Sequence, residues 1–175
     1  DKDRVRMYSL NPSNGKIKQL QAKEDVISDY SIANQAFEMV YFGLSASNSQ
    51  RLYTYNLKND ASSCLIDLSK EILRDVTLGE VQDWNFGSAR GDTIYGRFYL
   101  PPHFDATKKY PMIVNYYGGT TPTARVMESR YPSHVYAGLG YIVYIIQPSG
   151  ATGFGQEFSA RHVNAWGKPV SYTHL

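Results

Sequence analysis

Cysteine is almost absent from the 175-residue sequence, because Cys64 is the only one. An internal disulfide and a zinc site built from several thiolates are therefore both excluded. Charge of one sign is also scarce: the formal net charge is +2, and the longest basic run is the pair Lys108 and Lys109. Since a nucleic-acid-binding surface needs many phosphate-neutralising side chains, we expect no nucleic-acid partner.

Long apolar runs are missing as well. No stretch reaches the roughly 20 residues that a membrane-spanning helix needs, so we expect no membrane segment in this sequence. The first ten residues, DKDRVRMYSL, contain no apolar signal-peptide core. The subcellular compartment and the oligomeric state stay open at this point.

Motifs for metal, cofactor and triad chemistry do not occur either. No His-Glu-x-x-His frame is present, and the glycine-rich loop 147–155 fits neither the dinucleotide fingerprint nor the P-loop, so we predict no metal and no cofactor. A Gly-x-Ser-x-Gly nucleophile motif is absent, and Ser171 and His174 lie on a tail with no acid to orient the histidine. We expect His162 to pack or to lie at the surface.

Short strands dominate the first half of the chain. Its segments are rich in β-branched, leucine and aromatic residues, and turn-forming pairs such as Asn11-Pro12 and Asn14-Gly15 separate them. We predict strands at 4–10, 17–20, 26–33, 37–45, 51–57 and 64–68.

A repeat relates two of these strands. RVRMYSL and RLYTYNL share Arg, Tyr and Leu at a displacement of 47 residues, and each precedes a polar turn and a short strand that ends in Leu. Four strands per period of roughly 40 to 50 residues are typical of a β-propeller blade. We predict that residues 1–70 form the last one and a half blades of a propeller whose other blades lie upstream.

The second half changes its period after a connector at 71–79. We predict a hairpin from strands 80–89 and 92–100, then a strand at 111–117, a helix at 132–139, a strand at 141–146 and a helix at 156–167. In the second hairpin strand, Ile94, Phe98 and Leu100 alternate with Thr93, Arg97 and Tyr99, which predicts half burial. The apolar runs PMIVNYY and YIVYII predict strands buried on both faces of a mainly parallel α/β sheet.

The strand at 111–117 ends in an unusual way, in Tyr116, Tyr117, Gly118 and Gly119. Ligands in open α/β sheets lie outside the carboxyl ends of the strands, where the loops 116–122 and 147–155 begin. A phenol at Tyr117 could donate its hydroxyl to a developing oxyanion, while the two glycines let a substrate approach. On the residues alone, the alternative stays open that both tyrosines only pack the end of the sheet.

The run GDTIYGRFYLPPHFDATKKYPMIVNYYGG closely resembles the start of the catalytic domain in the prolyl oligopeptidase family of serine peptidases. LGYIVYIIQPSGATGFGQEFSARHVNAWG resembles the family's next segment. In two places the sequence departs from the family pattern: Ser149 stands where arginine is frequent, and Thr120 where proline is frequent. The resemblance covers roughly residues 80–168 and implies the end of a β-propeller followed by the first part of an α/β-hydrolase domain.

By this resemblance Tyr117 is the oxyanion-hole tyrosine, Gly118 and Gly119 let the substrate approach, and the partner is a peptide substrate. The family's catalytic serine, aspartate and histidine would lie downstream, so we expect the 175-residue chain to be inactive alone. The segment KPVSYTHL does not continue the family pattern, and we predict that residues 169–175 are foreign to it. Two alternatives remain: an α/β-hydrolase esterase, and a non-catalytic relative that acts as a binding or scaffold protein.

Overall fold

The computed structural model describes residues 2–89 and 91–165. The chain divides into two units. The N-terminal unit comprises residues 4–76 and 125–128, and the described part of the C-terminal unit comprises residues 2–3, 77–89, 91–124 and 129–165. None of the helices in these ranges is long and apolar enough to cross a membrane.

The N-terminal unit contains two antiparallel sheets. One is a hairpin of β1 (Tyr8–Leu10) and β2 (Ile17–Gln19). The other has four strands in chain order, β3 (Val26–Ile32), β4 (Glu38–Ser45), β5 (Asn48–Asn56) and β6 (Ala61–Asp67). All six predicted strands are present. β1 is shorter than predicted, because Val5 forms only an isolated bridge to Val26.

The core of the four-stranded sheet lies on one face and is largely aromatic. In β4, Met39 and Tyr41 are buried whereas Val40 and Phe42 are more than a third exposed, as the twofold period of a half-buried strand requires. The Tyr41 ring stacks on that of Tyr53 in β5 at 5.0 Å between centroids. A short helix, α1 (Ser69–Ile72), follows β6 and was not predicted; Asp67 Oδ1 accepts the N–H of Ser69, which begins the turn.

The C-terminal unit has one mixed sheet in the order β7-β8-β10-β9. Its strands are β7 (Val81–Gly87), β8 (Thr93–Tyr99), β9 (Met112–Tyr116) and β10 (Ile142–Ile146). The α2 helix (Ser133–Gly138) connects β9 to its parallel neighbour β10. The other two pairs are antiparallel. Over the described residues the prediction of a mainly parallel sheet is therefore wrong, because the β7–β8 hairpin joins β10 in the antiparallel sense.

Strand order decides how much of each strand is buried. In β10 the four residues from Val143 to Ile146 are buried, as predicted for YIVYII. In β9, by contrast, Met112, Val114 and Tyr116 are exposed by 55%, 42% and 50%. The prediction that this strand is buried on both faces is wrong over the described residues, because β9 lies at the edge of the sheet.

The pattern predicted for β8 also needs correction. Arg97 and Tyr99, expected on the solvent face, are each 2% exposed, and Ile94 on the opposite face is 1% exposed. Both faces of the strand are therefore covered. Arg97 can be buried because the Asp3 carboxylate lies 2.9 Å from its guanidinium and compensates its charge.

The two helices in the described part of the C-terminal unit are short, and each follows a strand and a loop. Gly140, with φ of +93°, ends α2 as predicted, because its N–H donates to the Ala137 carbonyl in a conformation that favours glycine. The α3 helix (Gln156–Ala160) is shorter than the predicted 156–167, and turns follow it up to residue 164. Residues 166–175, with the predicted foreign tail, lie outside the described residues.

Candidate functional site

Tyr117 lies one residue beyond β9, at the carboxyl end of the strand, and is 55% exposed. Its ring folds back over Gly119, which is buried. A β-carbon built at Gly119 would lie 2.5 Å from Cε1 and 3.1 Å from the hydroxyl oxygen of Tyr117. Position 119 therefore has no room for a side chain while the ring keeps this place.

The neighbouring Gly118 is different. It is exposed, and a β-carbon there would meet nothing within 4 Å. The two glycines predicted as one approach surface thus have separate roles in the structure. Gly119 seats the tyrosine ring, and Gly118 leaves open space beside it.

A cavity of about 330 Å³ adjoins Tyr117. Its lining is aromatic and hydroxylic, consisting of Asn115, Tyr116, Tyr117, Thr121, Pro122, Thr123, Ser129 and Tyr131. This volume lies within the usual range for small-molecule pockets, roughly 300–1,000 Å³. The Tyr117 phenol thus borders a space that could hold part of a ligand.

The two loops predicted at the carboxyl edge of the sheet lie side by side. β9 pairs with β10 in parallel from Ile142–Met112 to Ile146–Tyr116, so both strands end at the same edge. Beyond them, the Thr120 carbonyl accepts a hydrogen bond from the Thr152 N–H at 2.8 Å and another from the Thr152 hydroxyl at 3.1 Å. The loop that carries Tyr117 is thereby joined to the glycine-rich loop.

Gln147, which the sequence did not single out, ends the apolar run of β10 and is 1% exposed. Its Oε1 accepts the Thr123 N–H at 2.8 Å, and its Nε2 donates to the Thr123 carbonyl at 2.9 Å. The signal was a polar residue directly after the apolar run YIVYII, at a position where burial demands hydrogen-bond partners.

Arg97 was likewise missed as a residue that supports the site. Its Nη2 donates to the Ala124 carbonyl at 2.5 Å, and its Nη1 donates to the Thr123 carbonyl at 3.4 Å and to Asp3 at 2.9 Å. Its Nε donates to the Tyr99 hydroxyl at 3.2 Å. No local pattern could reveal these contacts, because the acidic partner is 94 residues away in sequence.

The glycine-rich loop 147–155 adopts the turn conformation expected of a strand-to-helix connection. Gly150 and Gly155 have φ of +94° and +104°, a region that glycine enters without strain. The His162 imidazole packs against Gly150 so closely that a β-carbon there would collide with the ring. His162 is 8% exposed and packs in the C-terminal unit, as predicted.

The other titratable side chains of the described residues do not form a metal-binding cluster. No group of three or more His, Cys, Asp or Glu side chains in residues 2–89 and 91–165 is arranged to hold a metal ion. Burial raises the pKa of the Tyr144 phenol on β10 to about 12, so this hydroxyl stays neutral at physiological pH. Ser171 and His174 lie outside the described residues.

The sequence of the chain is similar to those of several known proteins. No protein-family model matches the sequence. Dipeptidyl-peptidase 5 of Porphyromonas gingivalis is 29% identical over 154 residues, which cover 87% of this chain and 22% of that protein. A probable dipeptidyl-peptidase 5 of Aspergillus terreus is 40% identical over 68 residues, which cover 38% of this chain and 9% of that protein.

A solved acylaminoacyl peptidase has the same fold over most of this chain. The TM-score is 0.80 at 19% sequence identity, and the match covers 98% of this chain and 26% of that protein. The matches thus span about a quarter or less of each of these three proteins. They confirm the resemblance found in the sequence: over part of their length, the chain is similar to peptidases of the prolyl oligopeptidase family.

Proposed function

We propose that this chain is part of a serine peptidase that hydrolyses peptide bonds through an acyl-enzyme, and that Tyr117 is a donor of its oxyanion hole. The observation that carries the proposal is the Tyr117 phenol, exposed at the carboxyl end of β9 and bordering a cavity. The similarity to dipeptidyl-peptidase 5 proteins supports the reaction class.

The chemistry assigns Tyr117 one role. A serine oxygen attacks the peptide carbonyl, a histidine takes the serine proton, and the carbonyl oxygen becomes an oxyanion. The Tyr117 hydroxyl donates a hydrogen bond to this oxyanion, so it stabilises the tetrahedral intermediate more than the substrate. The histidine then protonates the leaving amine, and water releases the acyl group. The serine, histidine and orienting acid would come from residues outside this sequence.

The architecture that we propose follows the same family. The antiparallel sheets of residues 1–70 are the end of a β-propeller, residues 71–79 are a connector, and residues 80–168 are the first part of an α/β-hydrolase domain. A hairpin followed by a four-stranded antiparallel sheet in the N-terminal unit supports this proposal, and so does the parallel β9–α2–β10 unit.

A peptide is the substrate that we propose. The acylaminoacyl peptidase of similar fold has been solved in complex with Z-Gly-Gly-Phe-chloromethyl ketone, a peptide derivative. The aromatic and hydroxylic lining of the cavity beside Tyr117 offers both apolar contact and hydrogen bonds to such a ligand.

The experiment is the substitution Tyr117→Phe in a full-length protein that contains this sequence. It removes only the hydroxyl, so we expect kcat to fall by roughly 10²–10³ with KM and melting temperature nearly unchanged. Hydrolysis would be measured on a dipeptide p-nitroanilide, an acetyl-amino-acid p-nitroanilide and a simple ester. Tyr141→Phe is the matched control. Tyr141 precedes the amino end of β10 and so lies at the edge of the sheet opposite to the one that carries Tyr117.

Each alternative gives a different result in this assay. If the full-length protein cleaves the ester but neither anilide, it is an esterase. If it cleaves none of the three substrates and does not react with a fluorophosphonate that labels activated serines, it is a binding or scaffold protein. Turnover of Tyr117→Phe within a few-fold of the unsubstituted protein would limit Tyr117 to packing.

A further inference from the structure

The Gln147 side chain holds the backbone of another loop. Its amide accepts from the Thr123 N–H at 2.8 Å and donates to the Thr123 carbonyl at 2.9 Å, so both ends of the amide are used on one residue. This is the pattern with which a neighbouring strand would satisfy Thr123. Because Gln147 is 1% exposed, water does not replace these hydrogen bonds without opening the structure.

The residue that provides this hold is itself rigidly placed. Gln147 directly follows β10, which lies between β8 and β9 in the sheet and is almost fully buried. Its own N–H donates to the Tyr95 carbonyl at 2.8 Å, which continues the β8–β10 pairing by one residue. The side-chain amide is thus a fixed point of the sheet that reaches into the neighbouring loop.

The loop that it holds is the one that carries Tyr117. β9 fixes the loop at Tyr116, and the Gln147 amide fixes it again at Thr123. Between these points, Thr152 binds the Thr120 carbonyl and the Tyr117 ring lies on the buried Gly119. A shift of Thr123 would move the backbone at 118–122 and with it the seat of the ring.

We infer that Gln147 is a positioning residue for the Tyr117 hydroxyl. The inference rests on the proposed function, since it concerns how the same oxyanion donor is held. Oxyanion stabilisation depends on a donor that is in place before the reaction, and a displacement of 1 Å by a change away from the chemistry can cost about 10²-fold in rate. Gln147 acts through Tyr117 and has no contact of its own with the reacting atoms.

The test uses Gln147→Met, which keeps the length of the side chain and removes both hydrogen bonds. Amide exchange is measured first, because it needs no activity. We expect the Thr123 N–H to exchange at least about tenfold faster and protection to fall across 117–123. Gln82→Met, at an exposed position of β7, is the matched control and should change neither. Unchanged exchange at 117–123 in Gln147→Met would overturn the inference.

The second measurement is a double-mutant cycle on the full-length protein. We expect Gln147→Met to lower kcat about tenfold or more with KM within about twofold. In the Tyr117→Phe background the same substitution should have almost no further effect, because the hydroxyl that it misplaces is gone. Equal effects of Gln147→Met with and without the hydroxyl would overturn the inference while leaving the Tyr117 proposal intact. A Tyr117→Phe variant of full activity would instead refute the proposed function and this inference together.

Gln147→Glu covers the case in which the methionine variant does not fold. A protonated glutamic acid can accept from the Thr123 N–H and donate to its carbonyl, whereas the carboxylate meets that carbonyl with like partial charge. We therefore expect the ratio of its kcat to that of the unsubstituted protein to rise as the pH falls. A kcat ratio that is constant with pH would contradict the inference that Gln147 positions Thr123 through both of its hydrogen bonds.

Discussion

At the residue scale, the packing of a phenol ring on a glycine defines the candidate site. The Tyr117 ring occupies the space that a side chain at position 119 would need. An exposed tyrosine on a loop end would otherwise sample several rotamers, so contact with Gly119 narrows where its hydroxyl can be. Glycine at 119 is required here for space.

The substitution Gly119→Ala tests this steric role. The added methyl group would lie 2.5 Å from Cε1 of Tyr117, so the ring must leave its place. We expect kcat of the full-length protein to fall by an amount similar to that of Tyr117→Phe, roughly 10²-fold. Thermal stability should change little, because the ring is already half exposed.

Gly138→Ala is the control for this prediction. It places the same methyl group at the end of α2, where nothing lies within 4 Å, and alanine is the better helix former. Its kcat should equal that of the unsubstituted protein. If Gly119→Ala were as active as Gly138→Ala, the contact between ring and glycine would have no part in catalysis.

Residues differ in how far the sequence reveals their roles. Tyr117 and the glycine pair were found because their chemistry and their place after an apolar run are both local features. Arg97 and Gln147 were missed because their partners, Asp3 and Thr123, are 94 and 24 residues away. A hydrogen bond between distant residues leaves no periodic trace in either segment.

At the element scale, an arginine connects three segments of the N-terminal unit. Arg51 on β5 lies 2.9 Å from Glu24 Oε1 and 3.0 Å from Asp67 Oδ2 at the end of β6. The hydrogen bond from Arg51 holds the pKa of Asp67 below its usual range. Burial, and then the hydrogen bond to Glu24, raises the pKa of Tyr53 on β5 above its usual range.

The substitution Asp67→Asn tests how the stability of the N-terminal unit depends on pH. Because the folded-state pKa of Asp67 lies below its unfolded value of about 3.9, the carboxylate stabilises the fold above that pH. The contribution is lost as the pH falls through the folded pKa. We expect Asp67→Asn to cost about 1 kcal/mol or less at pH 7, and this difference should shrink below about pH 4.

Urea denaturation at pH 7 and pH 3 measures this difference. Asparagine keeps the side-chain oxygen that accepts the Ser69 N–H, so the change isolates the charge. Asp29→Asn, at an exposed position of β3, is the matched control. A cost of Asp67→Asn that stays the same at both pH values would rule out the ion pair as its source.

The positions of the strands were predicted better than their burial. Alternating and apolar runs between turn residues located all the strands found in residues 2–89 and 91–165, since these patterns are set by the strand itself. The exposure of β9 was not predictable from its composition, since four of its five residues are apolar or aromatic, as all five are in β10. Burial depends on the order β7-β8-β10-β9, and strand order is a property of the whole sheet.

At the scale of the whole molecule, the 175-residue chain carries a candidate oxyanion donor without a nucleophile motif. No Gly-x-Ser-x-Gly segment occurs in the sequence. We therefore expect the purified chain to hydrolyse neither peptide nor ester substrates and to remain unlabelled by a fluorophosphonate. Labelling or turnover that survives rigorous purification would mean that a serine within this sequence is activated.

The open edge of β9 has a consequence for the chain in solution. Among the described residues no strand pairs with its outer side, and three of its five side chains are apolar or aromatic and at least 42% exposed. Such an edge presents unpaired N–H and C=O groups beside an exposed apolar face. Within β9 there is no charged residue and no proline of the kind that commonly blocks the addition of another strand. The same strand that places Tyr117 is therefore a segment at which intermolecular β-sheets and precipitation can begin as the concentration of the chain rises.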